Sequence, residues 1–270
     1  MQLDDDGLPL DEVGAWAKEK HDRLRKYIDI ARATRKKFVD GPGGASYIDL
    51  FCGSGRAAIR DSGERIDGSP LLAFKCAVHG KVPFSEIHIS DADAELCAAA
   101  AQRIANAGGV ATKYVGSAEM IAPEIARQLN PHGLHFAFLD PCNLQDLPFN
   151  VIEELGSLKR MDMLIHVSAQ DLQRNLHEYI KADDDRLDRF APGWRDSVDL
   201  NQSKSAIRAG LFEYWMTLIE ALGLPRANGA ELVAGSKNQR LYWLVFVSRS
   251  DFAVQLWDKI RDVSGQQELF

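Results

Sequence analysis

A glycine-rich turn after an apolar run carries the clearest chemical signal in this chain. Gly53, Gly55 and Ala58 form the pattern G-x-G-x-x-A directly after the apolar run 46–51. Glycines in such a turn let backbone amides approach a ligand, and a small residue at 58 lets a following helix, expected from Arg56, pack on the strand. No Gly-Lys-Ser/Thr sequence follows, so the turn is not a P-loop. The pattern therefore predicts a nucleotide-type cofactor site.

Two acids near this turn indicate which cofactor would suit it. Asp49 lies four residues before Gly53, and Asp91 ends the next predicted strand. A carboxylate at 49 attracts an amino group and repels a pyrophosphate, and Asp91 comes later than the ~20 residues typical of a dinucleotide site. S-adenosylmethionine offers an ammonium for Asp49 and a ribose diol for Asp91. The alternatives are a buried acid at 49 that backbone amides satisfy, and a helix N-cap at 91.

A third acid follows the fourth predicted strand. Asp140-Pro141 comes directly after the apolar run 135–139. The first and fourth strands of a doubly wound sheet commonly flank the ligand site, so we expect Asp140 to face the glycine-rich turn. There a carboxylate would orient an acceptor amine or hydroxyl for in-line methyl transfer, and Pro141 would fix the turn that aims it. The alternative is an Asp-Pro turn that only ends a strand.

The remaining predicted cofactor contacts come from two loops. Ser117 follows the third predicted strand and is expected near an adenine, beside Ala118. Phe51, the last residue of the predicted strand before the glycine-rich turn, is the remaining predicted cofactor contact. By contrast, His166 and Trp243 stand in apolar surroundings and are predicted to be core residues.

The elements that must position these residues alternate along the chain. Strands are predicted at 46–51, 86–90, 110–115, 135–139 and 161–167, with helices at 69–79, 93–107, 118–129 and 149–158. This alternation predicts an α/β fold with a doubly wound, mostly parallel sheet. A helical insertion at about 169–229 follows. The chain then continues with an antiparallel hairpin of strands at 229–233 and 241–247 around a turn at 235–239, and a helix at 251–261.

The first 44 residues are predicted to form an N-terminal helical extension to a main domain at 45–270. Residues 1–12 are polar and predict a loose arm, and one amphipathic helix is predicted from Trp16 to Val39. The outer face of that helix, 18–37, is basic. We expect a solvated face, and the alternative is a nucleic-acid contact.

Composition narrows the class of protein further. The chain has 270 residues, 46% of them hydrophobic, which predicts a folded chain, and its net charge of −7 argues against holding nucleic acid by overall charge. The scattered cysteines, at 52, 76, 97 and 142, predict neither a disulfide framework nor a metal site. The N-terminus has no signal pattern and no apolar run approaches ~18 residues, so we expect a cytoplasmic protein without membrane contact.

Together these residues resemble the class I S-adenosylmethionine-dependent methyltransferase superfamily and, within it, the three-Cys-motif partner (TcmP) family. The resemblance spans roughly residues 15–262. It is carried by the helix with Trp16, Lys20, Leu24 and Tyr27, and by the segments 47–55, 67–70, 138–141 and 241–246.

The resemblance implies a Rossmann-like fold and S-adenosylmethionine as cofactor. It implies that Asp49 and the two glycines surround the methionyl group, that Asp91 lies at the ribose and that Ser117 lies near the adenine. Asp140-Pro141 takes the position of the D-P-P-Y motif of amino-group methyltransferases. Cys142 and Asn143 replace the second proline and the aromatic of that motif, which leaves the acceptor open.

The family name implies a partner protein that bears three cysteines and resembles radical S-adenosylmethionine enzymes. The leading hypothesis is thus a methyltransferase-like protein that acts with such a partner on a nucleic acid or a small molecule. The alternative is a non-catalytic binding module that retains the fold. A nicotinamide-dependent oxidoreductase is a third hypothesis, which Asp49 disfavours.

Overall fold

A computed structural model describes residues 2–181, 183–225, 231–234 and 240–262. The strands are β1 Gln2–Leu3, β2 Pro9–Val13, β3 Ala45–Asp49, β4 Arg56–Ile59, β5 Arg65–Asp67, β6 Glu86–Asp91, β7 Thr112–Val115, β8 Leu134–Leu139, β9 Met161–Ser168, β10 Glu231–Ala234 and β11 Arg240–Ser248. The α-helices are α1 Ala17–Ile30, α2 Arg32–Val39, α3 Ser69–His79, α4 Ala94–Asn106, α5 Ala118–Gln128, α6 Phe149–Gly156, α7 Ala169–Tyr179, α8 Arg186–Phe190, α9 Trp194–Ser197, α10 Lys204–Ala221 and α11 Asp251–Asp262.

A seven-stranded sheet forms the centre of the molecule, in the order β10-β11-β9-β8-β3-β6-β7. The strands from β9 to β7 run parallel, while β11 is antiparallel to both β9 and β10. This confirms the predicted parallel sheet and its C-terminal hairpin, with the second hairpin strand lying next to β9. The predicted turn at 235–239 and the predicted strand start at 229–230 lie outside the described residues.

Helices cover both faces of this sheet, as its wholly buried strands require. One face packs against α5, α6, α7 and α10, and the other against α1, α3, α4 and α11. Within its described residues the predicted insertion consists of the helices α7 to α10 with connecting loops, and it contains no strand. Within the described residues, no helix is both long and apolar enough to cross a membrane.

A second sheet, in the order β1-β2-β4-β5, corrects two of our predictions. The loose arm predicted at 1–12 is wrong over the described residues 2–12, because β1 pairs with β2, and β2 pairs in parallel with β4 and opposes Asp11 to Ala57. No helix begins at Arg56, because that segment is β4, which turns back into β5. Arg-Ala-Ala-Ile has no strong local preference against a helix, and the pairing with β2 and β5 decides its structure.

The predicted single helix from Trp16 to Val39 is two helices that meet at Ala31. The Arg35 guanidinium donates hydrogen bonds to the carbonyl of Ile28 at 2.8 Å and to that of Val82 at 2.9 Å. A carbonyl that accepts from a side chain is released from the helical ladder, so the chain turns here.

Arg103 on α4 joins the N-terminal segment to the glycine-rich turn. Its buried guanidinium donates two hydrogen bonds to the Asp6 carboxylate, at 2.8 Å each, and one each to the carbonyls of Pro9 and Ser54, at 2.7 and 2.8 Å. The neighbouring acids Asp4 and Asp5 pair with arginines of β4 and β5. The acidic N-terminus is therefore neutralised by arginines of the chain itself.

We expect Arg103→Ala to lower the free energy of unfolding by about 3 kcal/mol, since it removes the hydrogen bonds of a buried guanidinium, two of which go to a carboxylate. Urea unfolding checks this. Arg127→Ala, which removes an exposed arginine from α5, is the matched control and should change stability by less than about 0.5 kcal/mol. Equal effects of the two variants would contradict the role of Arg103.

Candidate functional site

A cavity of about 700 Å³ opens at the carboxyl edge of the parallel strands, where loops follow β3, β6, β7 and β8. This is the edge at which doubly wound sheets bind ligands. The predicted site residues that line it are Phe51, Gly53, Asp91, Ser117, Ala118 and Asp140. Asp49, Gly55 and Pro141 lie behind this wall.

The glycine-rich turn needs its glycines for backbone conformation and for space. Gly53 and Gly55 both have positive φ, +54° and +78°. A Cβ at Gly53 would lie 2.5 Å from Oδ2 of Asp11, and one at Gly55 would lie 2.9 Å from Cα of Ala100. The turn therefore packs against α4 and β2. Ala58 does not join a helix to the strand as predicted, because it lies in β4.

Asp91 holds the turn from the end of β6. Its carboxylate accepts hydrogen bonds from the N–H groups of Gly53 and Asp93, both at 2.9 Å. Burial raises the pKa of Asp91 above its usual range, the two N–H groups oppose this, and the charge of Asp11 adds to the rise. The side chain that caps α4 is Asp93, which accepts from Glu95 N–H at 2.8 Å. Asp91 is thus not the helix cap that we considered as an alternative.

Asp49 is fully buried at the end of β3. It accepts hydrogen bonds from the Tyr47 hydroxyl at 3.0 Å and from the Phe51 N–H at 3.2 Å, with Ser69 as a further donor. Burial raises the pKa of Asp49 to about 7, which these donors only partly offset. Our alternative interpretation was an acid satisfied by backbone amides, and only the Phe51 N–H is one; the other two donors are side-chain hydroxyls.

Asp140 lies at the cavity wall and is ion-paired. Its Oδ2 accepts a charge-assisted hydrogen bond from the ammonium of Lys20 on α1, and its Oδ1 lies 3.3 Å from Nδ1 of His166. Burial is the largest influence on Asp140 and by itself would raise its pKa, but the charge and hydrogen bond of Lys20, together with His166 and His21, hold the pKa below its usual range. Asp140 is therefore an ionised carboxylate.

His166 was predicted to be a core residue, and it is buried, but it also contacts Asp140. Its ring lies 4.6 Å from that of Tyr242, and burial lowers its pKa to about 4, so the imidazole is neutral at pH 7. Burial and the Lys20 charge likewise lower the pKa of His21, at the cavity wall, to about 4. Lys20 is thus the cation of this cluster.

Acidic side chains dominate the cavity wall. They are Asp11, Glu12, Asp91, Glu119, Asp140 and Asp146. Glu12 pairs with Arg60, Glu119 with Arg189 and Asp140 with Lys20. Within the described residues, Asp11 and Asp91 have no lysine, arginine or histidine within 4.0 Å. The cavity therefore favours a ligand that carries positive charge.

Three of these contacts were missed from sequence. Lys20 shares one helix face with Leu24, Tyr27 and Ile28, and a lysine on an apolar stripe was a signal that it needs a buried acid. Arg189 comes from α8, so the helical insertion reaches the cavity. Asp11 had no sequence signal, because its position depends on the second sheet.

The turn after Asp140 is stabilised by its own side chains. Asn143 and Asp146 form a reciprocal capping box around the 3₁₀ turn 144–146, and the N–H of Leu144 donates to Asp171 of α7 at 3.1 Å. The side chain of Asn143 therefore stabilises the loop that follows Asp140. Pro141 is buried at the start of this turn.

Comparisons with known proteins identify the fold. No protein-family model matches the chain, and no curated protein matches it. Among solved structures, a Legionella pneumophila protein, LPL1258, is 8% identical with a TM-score of 0.50, over 91% of this chain and 92% of that one. Cofactor-bound Rv0187 from MTB is 15% identical (TM-score 0.48; 90% and 84% covered), and a Bacillus cereus O-methyltransferase in complex with SAH is 14% identical (TM-score 0.48; 89% and 84% covered).

The first of these likenesses supports the fold that the sheet order already defines. The chain is a Rossmann-like α/β protein with a doubly wound, mostly parallel sheet, as predicted. Its cavity lies where this class of fold binds ligands.

The Lys20–Asp140 pair provides a stability test. We expect Lys20→Met to destabilise the protein by about 3 kcal/mol, since it leaves a buried carboxylate without its cation. The double variant Lys20→Met/Asp140→Asn should recover most of that loss in urea unfolding at pH 7.5. Lys18→Met, which breaks an exposed pair with Glu64, is the control and should cost less than about 1 kcal/mol. Additive effects in the double variant would contradict the pairing.

The raised pKa of Asp49 predicts a pH dependence of stability. The folded protein holds this proton up to about pH 7, while the unfolded chain releases it near the ordinary value of 3.8. Ionisation in the unfolded chain therefore lowers the stability as pH rises from about 4 to 7. Asp49→Asn removes this contribution, so the variant should gain stability relative to wild type between pH 5 and 8, by roughly 3 kcal/mol. The measurement is the free energy of unfolding in urea as a function of pH, for the variant and for the wild type. Parallel curves would exclude the raised pKa of Asp49. The pKa shifts of other groups affect both proteins equally and cancel in the difference.

Proposed function

We propose that this chain binds S-adenosylmethionine in the cavity at the carboxyl edge of the sheet and transfers its methyl group. The observation that carries the proposal is that carboxylates of this chain already accept hydrogen bonds from the N–H groups of the glycine-rich turn. The N–H groups of Gly53 and Ser54 donate to the carboxylates of Asp91 and Asp11, at 2.9 and 2.7 Å. The turn therefore presents carboxylates to the cavity instead of free N–H groups.

This arrangement discriminates between the two cofactor classes that glycine-rich turns serve. A pyrophosphate requires free N–H donors and is repelled by carboxylates. A nucleoside with an ammonium and a sulfonium gains from both acids. The cavity has the volume of a small-ligand site. A nicotinamide dinucleotide is accordingly disfavoured.

Each predicted contact has a role in this proposal. Asp91 accepts from the ribose hydroxyls, Ser117 and Ala118 border the adenine, and Phe51 packs beside the nucleoside. Asp49 and Gly55 support the turn from behind. The O-methyltransferase name of the Bacillus cereus structure agrees with this chemistry.

Asp140 is the proposed acceptor-binding residue. An ionised carboxylate at the cavity wall accepts a hydrogen bond from an acceptor amine or hydroxyl and turns its lone pair toward the methyl carbon. The acceptor–carbon bond then forms as the sulfur–carbon bond breaks, the sulfonium leaves as a neutral thioether, and the acceptor's proton passes to the Asp140 carboxylate and from there to water. Pro141 fixes the turn. Positioning of this kind supplies much of the rate in a bimolecular transfer.

A second candidate function, a non-catalytic partner protein, is favoured by the state of Asp140. Both of its oxygens already face groups of this chain, Lys20 and His166. The resemblance to three-Cys-motif partner proteins suggests a radical-SAM-like protein as the partner. Co-purification of a stable partner, with cofactor bound and without methyl transfer, would favour this candidate.

Nucleic acid is the other proposed partner, through α1 and α2. Much of the predicted basic face is neutralised within the chain: Lys18, Lys20, Arg25, Lys26 and Lys36 pair with acids. Arg32 and Lys37 are exposed and, within the described residues, have no acid within 4.0 Å. This leaves a small cationic surface, so we expect weak, strongly salt-dependent binding.

We expect S-adenosylhomocysteine, the product of methyl transfer, to bind the wild type in calorimetry, and NADH not to bind. Asp91→Asn should weaken S-adenosylhomocysteine by roughly tenfold, since it removes a charged acceptor of the ribose hydroxyls. Asp140→Asn should keep that affinity and abolish transfer from labelled S-adenosylmethionine. Preferential binding of NADH would overturn the proposal, and unchanged transfer would remove Asp140 from the mechanism.

A further inference from the structure

The second sheet contributes a wall of the cavity. β2 carries Asp11 and pairs with β4, which opposes Asp11 to Ala57. Both residues line the cavity. Arg103 fixes the start of this strand by donating to the carbonyl of Pro9 at 2.7 Å. The position of Asp11 at the cavity is therefore built into the packing of the N-terminal segment.

Asp11 and the glycine-rich turn are matched to each other. Oδ2 of Asp11 accepts a hydrogen bond from the Ser54 N–H at 2.7 Å. The same oxygen lies where a side chain of residue 53 would be, 2.5 Å from its Cβ position. The absence of a side chain at Gly53 is thus what allows this carboxylate to reach the turn.

Asp11 also has the charge that an ammonium requires. Its other oxygen, Oδ1, accepts no hydrogen bond within the described part of the chain, and no cationic side chain there pairs with it. Asp91 lies close enough for the charge of Asp11 to act on it. The two carboxylates therefore border the same part of the cavity and share an uncompensated negative charge.

Asp49 lacks these properties. It has no exposed surface, does not line the cavity and is satisfied by donors from Tyr47, Phe51 and Ser69. An ammonium bonded to it would have to displace packed groups of the core. Of these two acids, the one that lines the cavity beside the glycine-rich turn is therefore Asp11 on β2.

From this geometry we infer that Asp11, and not Asp49, binds the ammonium of the methionyl group of S-adenosylmethionine. The inference rests on the proposed function. The strand β2 is then part of the cofactor site. Asp11 would distinguish nucleosides that carry an amino-acid group from nucleosides that lack one.

The test compares two ligands that differ in the amino-acid moiety. S-adenosylhomocysteine carries the ammonium, whereas 5′-methylthioadenosine keeps the adenosine and the thioether but has no amino acid. Asp11→Asn retains a carbonyl oxygen for the Ser54 N–H and removes the charge. We expect this variant to bind S-adenosylhomocysteine roughly 10- to 100-fold more weakly in calorimetry, and 5′-methylthioadenosine within about twofold of wild type.

Two further variants complete the experiment. Asp61→Asn removes an exposed acid from the turn between β4 and β5 and should leave both affinities unchanged. Asp49→Asn should affect the two ligands to the same extent. Binding of 5′-methylthioadenosine shows in each case that the variant retains a folded site.

The outcomes separate the inference from the proposed function. Unchanged S-adenosylhomocysteine binding by Asp11→Asn, or equal weakening of both ligands, would overturn the inference while leaving the cofactor assignment standing. If Asp49→Asn weakened the binding of S-adenosylhomocysteine but not that of 5′-methylthioadenosine, Asp49 would be the residue that binds the ammonium. Failure of the wild type to bind either ligand would refute the proposed function itself.

Discussion

The peptide N–H groups of Gly53 and Ser54 point to carboxylates that the chain itself supplies, Asp91 from the main sheet and Asp11 from the second sheet. Backbone donors in a turn must find acceptors, and a helix N-terminus or free turn normally offers them to an anion. Here the donors are occupied and the acceptors bring negative charge. A glycine-rich turn with free N–H groups favours an anionic ligand, whereas this cavity favours a cationic one.

This preference depends on the packing that holds the second sheet against the first. Arg103 bonds to Asp6, to Pro9 and to the carbonyl of Ser54, so one buried guanidinium fixes both the N-terminal strand and the turn that it faces. Gly55 lies against Ala100 of the same helix. The site is therefore a junction of two sheets and α4, and its geometry is coupled to the stability of the N-terminal segment.

Two buried acids at this edge of the sheet, Asp49 and Asp140, have pKa values shifted in opposite directions. Asp49 has only neutral donors, so desolvation dominates and its pKa rises to about 7. Burial acts on Asp140 as well, but the ammonium of Lys20, together with His166 and His21, offsets desolvation and keeps the carboxylate ionised. Two carboxyl groups on neighbouring strands thus differ in charge below about pH 7 because one of them faces a lysine from α1. A buried Asp49 with a raised pKa suits a supporting role, and an ionised Asp140 suits contact with a polar acceptor.

The sequence by itself determined the elements of the main sheet and the edge at which its acids gather. Apolar runs separated by amphipathic helices are local patterns, and parallel strands bring their carboxyl ends to one edge, so Asp91 and Asp140 were predicted at a shared site. The tertiary structure alone decided the second sheet, because Arg56–Ile59 becomes a strand only by pairing with β2 and β5. It also placed Asp11 on the glycine-rich turn and Lys20 on Asp140. These contacts join residues far apart in the chain. Hydrophobic periodicity places Lys20 on the buried face of α1, but neither periodicity nor local propensity indicates which acid it meets, or that β2 reaches the turn.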